Sequence, residues 1–215
     1  MTRPGKIICV GLNYADHTKE SNYAQPDYPT VFPRFNSSLL AHNQPIILPK
    51  LSDTLDYEGE LAVVLKSGGR YIDKAQALEC VAGYALFNDA SVREYQFLTP
   101  QWTVGKNFDA TGAFGPDLVT ADELPPGAAA CCWRPGSTVK PCSRPIPATW
   151  CLTSPPLSPP SARRSPSKRA TRSSPARPPA SDSAGIRSAF LKDGDIVEVS
   201  VERVGTLRNR ICAEK

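Results

Sequence analysis

The chain has 215 residues, a formal net charge of +4 and 40% hydrophobic residues, an ordinary balance for one soluble domain with or without an extension. No apolar run approaches the roughly 20 residues that span a bilayer, so the sequence predicts no membrane partner. The seven cysteines include no Cys-x-x-Cys pair, and the first residues carry no signal-peptide pattern. We therefore expect a reduced, cytoplasmic protein.

Short apolar runs and turn residues predict the first elements. Three runs predict strands, at residues 6–11, 81–87 and 114–120. Residues 45–49 predict a short strand with proline at both ends, which favours a sheet edge because proline cannot donate to a ladder. Asp73 is a suitable N-cap for a helix over residues 74–80.

Two glutamates begin another apolar run. Glu58 and Glu60 project from one face of a strand because side chains alternate, and adjacent like charges repel unless a cation neutralises them. Mg²⁺, Mn²⁺ and Ca²⁺ prefer carboxylate oxygens, and Asp89 follows the strand predicted at residues 81–87. The pattern indicates a metal site, and the alternative is the solvated face of an amphipathic strand.

Further polar residues suggest acid–base chemistry. If residues 15–20 form a helical turn, His17 and Glu20 are i,i+3 neighbours, and a carboxylate that orients a histidine ring makes a general base. The alternative is an incidental surface pair. Lys106 is the cation nearest to this cluster in sequence and can stabilise developing negative charge. Its alternative is a solvated surface lysine.

Several motifs occur in one order along the chain: residues 11–20, 55–61, 81–89 and 101–109. Their order and spacing across residues 6–125 resemble the fumarylacetoacetate hydrolase family, and residues 190–209 are similar to its C-terminal strands. The resemblance implies a mainly β, α+β fold, a mixed β-sandwich roll of that family's C-terminal-domain type, and a homodimer.

The resemblance also implies a site. Mg²⁺ or Mn²⁺, with Ca²⁺ as a further option, would be held by Glu58, Glu60 and Asp89. His17 and Glu20 would activate water or move a proton. The remaining roles in the implied site fall to three residues, namely Lys106 for the developing negative charge and Arg93 and Gln96 for the substrate.

The implied substrate is a small 2-oxo or 1,3-dicarbonyl acid. The implied reactions are C–C hydrolysis of acylpyruvates and decarboxylation of oxaloacetate, both through a metal-stabilised enolate. Isomerisation or hydration of a muconate-type diacid is the alternative within the same family.

The resemblance stops at residues 130–184. No Asp or Glu occurs between Glu123 and Asp182. Residues 176–183 are what the family's Gly-Thr-Pro-Ala-Gly-Ile-Gly-Phe loop yields when its GC-rich codons are read one base late. The sequence therefore predicts an out-of-frame segment that returns to frame near Gly185.

Three parts follow from this interpretation: residues 1–130 with the metal ligands, residues 131–184 unlike the family, and residues 185–215 with the C-terminal strands. We expect the roll to be disrupted at residues 130–184, and the chain to fold poorly and to be a weak or inactive enzyme. The alternative is a basic interaction protein that binds nucleic acid or an acidic partner through a disordered segment. This is the less favoured reading because the segment replaces family sequence.

Overall fold

A computed structural model describes residues 4–11, 29–129, 131–137, 144–145 and 190–215. Strands dominate these ranges: β1 (Ile8–Gly11), β2 (Thr30–Pro33), β3 (Leu39–Ala41), β4 (Ile46–Leu48), β5 (Leu55–Asp56), β6 (Gly59–Leu65), β7 (Val81–Asp89), β8 (Ser91–Val92), β9 (Gly112–Thr120), β10 (Cys132–Ser137), β11 (Arg144–Pro145), β12 (Ile196–Val201) and β13 (Gly205–Ala213). One short α-helix, α1 (Arg93–Gln96), and 3-10 helices at Asn36–Ser38, Lys74–Cys80 and Pro126–Ala128 complete them.

The strands form two main sheets. The first sheet has the order β3-β9-β7-β6 and the second sheet the order β11-β10-β12-β13-β4. Each is mixed, because β3 runs parallel to β9 and β13 runs parallel to β4, while the other pairs are antiparallel. Two small pairs, β1-β2 and β5-β8, lie beside them. The predicted fold class, a mainly β chain with mixed sheets, is confirmed.

The core lies between the two sheets. In β12, the valines at 197, 199 and 201 are buried and alternate with more exposed residues, as expected of a strand with one face on a core. They belong to the same apolar cluster as Leu86 of β7 and Leu207 and Ile211 of β13. Strand β7 is buried along almost its whole length, so its other face is also covered.

Most local predictions have a counterpart in the structure. The strands expected at residues 6–11, 81–87 and 114–120 correspond to β1, β7 and β9. Strand β4 lies at the edge of the second sheet, as its flanking prolines indicated. The predicted helix over 74–80 is a 3-10 helix, and the Asp73 side chain accepts a hydrogen bond from the Ala75 backbone nitrogen at 3.1 Å.

The segment predicted to differ from the family contributes to the second sheet at its start. Strand β10 lies between β11 and β12, and Pro135 is opposite Val199 in the register. The rest of residues 131–184 lies outside the described ranges apart from β11. Within those ranges, no helix has both the length and the apolar character needed to cross a membrane.

Candidate active site

The predicted metal ligands share one face of the first sheet. Register pairs Gly59 with Asn88 and Glu60 with Phe87. Side chains alternate along a strand, so Glu58 and Glu60 lie on the same side as Asp89. The backbone locks this arrangement, because the Asp89 nitrogen donates to the Glu58 carbonyl oxygen at 2.8 Å. The alternation argument placed Glu58 and Glu60 on a common face, and the register adds Asp89, which the sequence had named only as following another strand, to that face.

Lys106 joins two of these carboxylates. Its Nζ lies 2.6 Å from Glu58 Oε2 and 2.9 Å from Asp89 Oδ2. The lysine side chain is only 2% exposed and its Nζ lies 5.0 Å from the centroid of the Phe32 ring, a cation–π distance. Lys106 is thus a buried cation at the centre of the site, and the alternative of a solvated surface lysine is wrong.

A glycine brings Lys106 to this position. The Val92 nitrogen donates to the Gly105 carbonyl oxygen at 2.9 Å, which ties the loop before Lys106 to the strand before α1. A Cβ on Gly105 would overlap the backbone of Gln96. Only glycine permits this close approach, so Gly105 is what allows the lysine to pass beneath α1.

Helix α1 adds a second cation. Arg93 Nη1 forms an ion pair with Glu58 Oε1, and Arg93 Nη2 lies 2.6 Å from Asp56 Oδ2. The same Nη1 donates to Gln96 Oε1 at 2.8 Å. The structure therefore brings the two residues predicted to face the substrate to the carboxylate cluster, where Arg93 contacts Glu58 and Gln96 contacts Arg93. Their contact with substrate stays a prediction.

Three contributors were missed by sequence reasoning. Arg34, which directly follows β2, forms an ion pair with Asp89 Oδ1, and no short-range pattern connects residues 55 positions apart. Asp56 could have been found, because it precedes Glu58 by two positions and extends the same alternation. Cys9 was noted only as part of a strand, although it lies near the cluster and responds to its charges.

The electrostatics of the cluster favour fixed charges. Burial alone would raise the pKa of Glu58, but Lys106 and Arg93 outweigh it and hold the pKa well below its usual range. Burial would lower the pKa of Lys106, but Glu58 and Asp89 raise it above its ordinary value. The lysine therefore stays protonated at neutral pH and acts as a cation, not as a base.

The nearby thiol is a neutral group. Burial raises the pKa of Cys9 to about 12, and the negative charge of Asp89 acts in the same direction. A thiol with so high a pKa carries almost no thiolate at neutral pH, and the thiolate is the nucleophilic form. Cys9 is therefore an uncharged group at neutral pH and offers no covalent chemistry.

The donor set suits a hard divalent cation. Glu58 and Asp89 direct one oxygen each at the same ammonium, so two hard ligands converge on a point of positive charge, with Glu60 on the same face. Oxygen ligands of this kind are those of Mg²⁺ and Mn²⁺. Among the described residues, no three His, Cys, Asp or Glu side chains are already arranged closely enough to bind one metal ion.

The predicted pair of His17 and Glu20 lies outside the described residues.

Comparisons with known proteins agree with this arrangement. The model of the fumarylacetoacetate hydrolase C-terminal family matches residues 6–141. The human mitochondrial protein named oxaloacetate tautomerase FAHD2A is 40% identical over 144 residues, which are 65% of this chain and 46% of that protein. A fumarylacetoacetate hydrolase domain-containing protein 2 homolog of Dictyostelium discoideum is 42% identical over 123 residues, 56% of this chain and 40% of that protein.

Solved structures extend the likeness to the fold. The fumarylacetoacetate hydrolase of Exiguobacterium antarcticum superimposes with a TM-score of 0.70 at 27% identity, covering 99% of this chain and 76% of that one. A 5-carboxymethyl-2-hydroxymuconate delta-isomerase of Mycobacterium smegmatis superimposes with a TM-score of 0.68 at 24% identity, covering 98% and 79%. The matched segments span less than half the length of the curated relatives named above.

Proposed function

Because the chain belongs to the fumarylacetoacetate hydrolase family, we propose that it catalyses divalent-metal-dependent enolate chemistry on a small 2-oxo dicarboxylic acid. The reaction we put first is the keto–enol interconversion of oxaloacetate, which the name of the human relative specifies for that protein. The observation that carries the proposal is the convergence of Glu58 and Asp89 on one buried ammonium, with Arg93 beside them.

Charge favours an anionic substrate. The cluster comprises four carboxylates, those of Asp56, Glu58, Glu60 and Asp89, and three cations, those of Arg34, Arg93 and Lys106. With a divalent cation added, the net charge of these groups becomes positive, and a positive cleft attracts a dicarboxylate. Glu58, Glu60 and Asp89 would hold Mg²⁺ or Mn²⁺, which would supply Lewis-acid stabilisation of negative charge.

The protein's own residues then divide the work. In the keto-to-enol direction a proton leaves the carbon next to the keto group, its electron pair forms the C=C bond, and the oxygen gains the negative charge and then a proton. Lys106, permanently protonated, stabilises that charge. His17 oriented by Glu20 takes and returns the proton, a role assigned by family resemblance. Arg93 holds Glu58 in place, Gln96 supports Arg93, and both contact the substrate carboxylate, a role assigned by family resemblance.

Hydrolysis of an acylpyruvate is the second candidate. It shares the enolate, which leaves as the C–C bond breaks, but needs water as nucleophile. The likeness to the fumarylacetoacetate hydrolase of Exiguobacterium antarcticum favours it. Decarboxylation of oxaloacetate, the homodimer and the cytoplasmic location predicted from the sequence stay predictions.

The test is Mg²⁺- or Mn²⁺-dependent turnover by the full chain. The ultraviolet absorbance of enol oxaloacetate reports tautomerisation, and loss of acylpyruvate absorbance reports hydrolysis. Glu58→Ala should abolish turnover and weaken metal binding, because it removes a ligand. Glu198→Ala is the matched control, because Glu198 forms an exposed ion pair on β12, and it should leave both unchanged.

Two outcomes contradict the proposal. Turnover that is equal with and without chelator would remove the metal from the mechanism. Turnover that survives in Glu58→Ala would show that this carboxylate cluster is not the active site. Metal binding without turnover of either substrate would instead support the inactive relative predicted from the sequence.

A further inference from the structure

Arg34 is the most completely buried charge of the cluster, with 0% of its side chain exposed. A buried guanidinium is costly unless its donors are satisfied. Arg34 satisfies them within the protein: Nη1 contacts Asp89 Oδ1 and the Ala90 carbonyl oxygen, Nη2 donates to Thr111 Oγ1 at 2.9 Å, and Nε donates to Ser38 Oγ at 3.2 Å. No face of this group is left for a substrate, so its role must be exerted through the residues it holds.

The residue it holds is Asp89, and it holds one oxygen only. Asp89 Oδ1 pairs with Arg34, and Asp89 Oδ2 faces Lys106 at 2.9 Å. A carboxylate whose two oxygens have different fixed partners cannot rotate about its terminal bond without breaking both pairs. Arg34 thereby decides which oxygen of Asp89 points into the site.

The surroundings fix the guanidinium itself. Its carbon lies 5.4 Å from the centroid of the Phe87 ring, and Phe87 precedes Asp89 by two positions on the same face of β7. A Cβ on Gly112 would lie 2.7 Å from Arg34 Nη2, so the absence of a side chain there leaves room for the guanidinium group. A planar, multiply bonded arginine in such a slot is not interchangeable with lysine, which is a single-point donor.

We infer that Arg34 is a positioning residue: it pins Asp89 through Oδ1 so that Oδ2, which accepts from Lys106 Nζ at 2.9 Å in this structure, is the oxygen directed into the site where the metal would bind. The inference rests on the proposed function, since it assumes that Asp89 is a metal ligand. It adds a residue that contacts neither substrate nor metal and that sets the affinity of the site. Partners that orient a metal ligand typically change metal affinity 10–100-fold when they are mutated.

The experiment measures Mn²⁺ binding to the full chain by calorimetry and by the electron paramagnetic resonance spectrum of the bound ion. Arg34→Lys keeps the positive charge and loses the planar guanidinium with its several donors. The Kd of the variant for Mn²⁺ should therefore rise about 10–100-fold, and the spectrum of the bound Mn²⁺ should change. Arg208→Lys is the same substitution at an exposed ion pair and should alter neither. A merely structural role would lower the melting temperature and leave the spectrum of the bound ion as it is in the parent.

Two further variants test the inference if Arg34→Lys folds poorly. Thr111→Val removes one hydrogen bond to the guanidinium and leaves Asp89 untouched, and should raise the Kd in the same direction by less. In Arg34→Ala, added guanidinium should restore binding and tetramethylammonium at equal ionic strength should not.

The outcomes separate the two claims. If the parent binds Mn²⁺ and the Arg34 and Thr111 variants bind it with the same Kd and spectrum, the inference is overturned and the proposed function stands. If the parent itself binds no metal, the proposed function fails and the inference fails with it.

Discussion

The two sheets carry ion pairs in opposite environments. Asp89 on the first sheet pairs with Arg34, which follows β2, and their side chains are 4% and 0% exposed, whereas Arg208 and Glu198 on the second sheet are 51% and 44% exposed. Breaking a buried pair leaves an uncompensated charge and costs about 3–5 kcal/mol, while an exposed pair contributes about 0–1 kcal/mol. The same kind of ion pair is therefore costly to break in the buried cluster at the first sheet and close to neutral on the exposed face of the second.

The sheets also differ in the part of the chain that forms them. Every strand of the first sheet comes from residues 39–120. The second sheet includes β10 and β11, which lie in the segment from 131 to 184 that the sequence predicted to differ from the family. The match of the family model extends to residue 141, so β10 lies within it and β11 lies beyond it. The sheet that carries the carboxylate cluster is thus built apart from residues 131–184, and the second sheet includes strands from them.

The largest expected effect concerns that segment. We propose that residues 130–184 are read out of frame, and we expect resequencing of the DNA to find a pair of compensating insertions or deletions. The corrected chain should have a free energy of unfolding higher by about 5 kcal/mol or more, a large part of the stability of a typical domain, because proline cannot donate to a sheet ladder. Chemical denaturation of both chains measures the difference. DNA with no such pair of changes would refute the hypothesis.

The next effect falls on the first sheet. Lys106→Met removes the cation shared by Glu58 and Asp89, so turnover should fall about 10²–10³-fold. The free energy of unfolding should fall by about 3–5 kcal/mol, as measured by urea denaturation. Lys192→Met, at an exposed position, is the matched control and should change neither. Equal effects in the two variants would show that the buried lysine has no special role.

A smaller effect tests the slot around Arg34. Gly112→Ala would set a methyl group 2.7 Å from the guanidinium, and overpacking of this kind costs about 1–3 kcal/mol. At Gly68, no atom of the described residues other than its chain neighbours lies within 4 Å of an added Cβ, so Gly68→Ala should be neutral or stabilise by about 0.4–1 kcal/mol. Thermal denaturation measures the melting temperatures of the two variants. A destabilised Gly68→Ala together with an unchanged Gly112→Ala would contradict the prediction.

The most gradual effect is pH dependence. Lys106 and Arg93 hold the pKa of Glu58 below its usual range, so the folded carboxylate binds protons less readily than the unfolded one. Its contribution to stability is present above the unfolded pKa of about 4.3 and is lost as pH falls through the lower folded value. The difference in unfolding free energy between the parent and Glu58→Gln should therefore shrink as pH falls below that value. For Glu198→Gln the difference should stay small throughout, and a pH-independent difference for Glu58→Gln would contradict this linkage.

Short-range rules predicted what depends on local geometry. The alternation of a strand was enough to place Glu58 and Glu60 on one face, and the flanking prolines were enough to place β4 at an edge. The Asp73 cap follows from its side chain and the next two residues. These features need no knowledge of distant parts of the chain, which explains why sequence reasoning found them.

Long-range contacts set the limit. Arg34 meets Asp89 across 55 positions, and Arg93 meets Asp56 across 37. Each is one arginine among many, and only the folded sheets decide which carboxylate it reaches. Spacing was enough to pair Glu58 with Glu60, the family resemblance added Asp89 and Arg93, and Arg34 followed from neither.

The single ammonium of Lys106 between two acids has a consequence for how this site can change. Residues that share a partner are energetically coupled, and their mutational effects do not add. After either acid is lost, the lysine has only half its counter-charge, so the cost of losing the second differs from the cost of losing the first. Neutral drift at one of the three positions therefore depends on what the other two already are, and the trio is expected to vary as a unit.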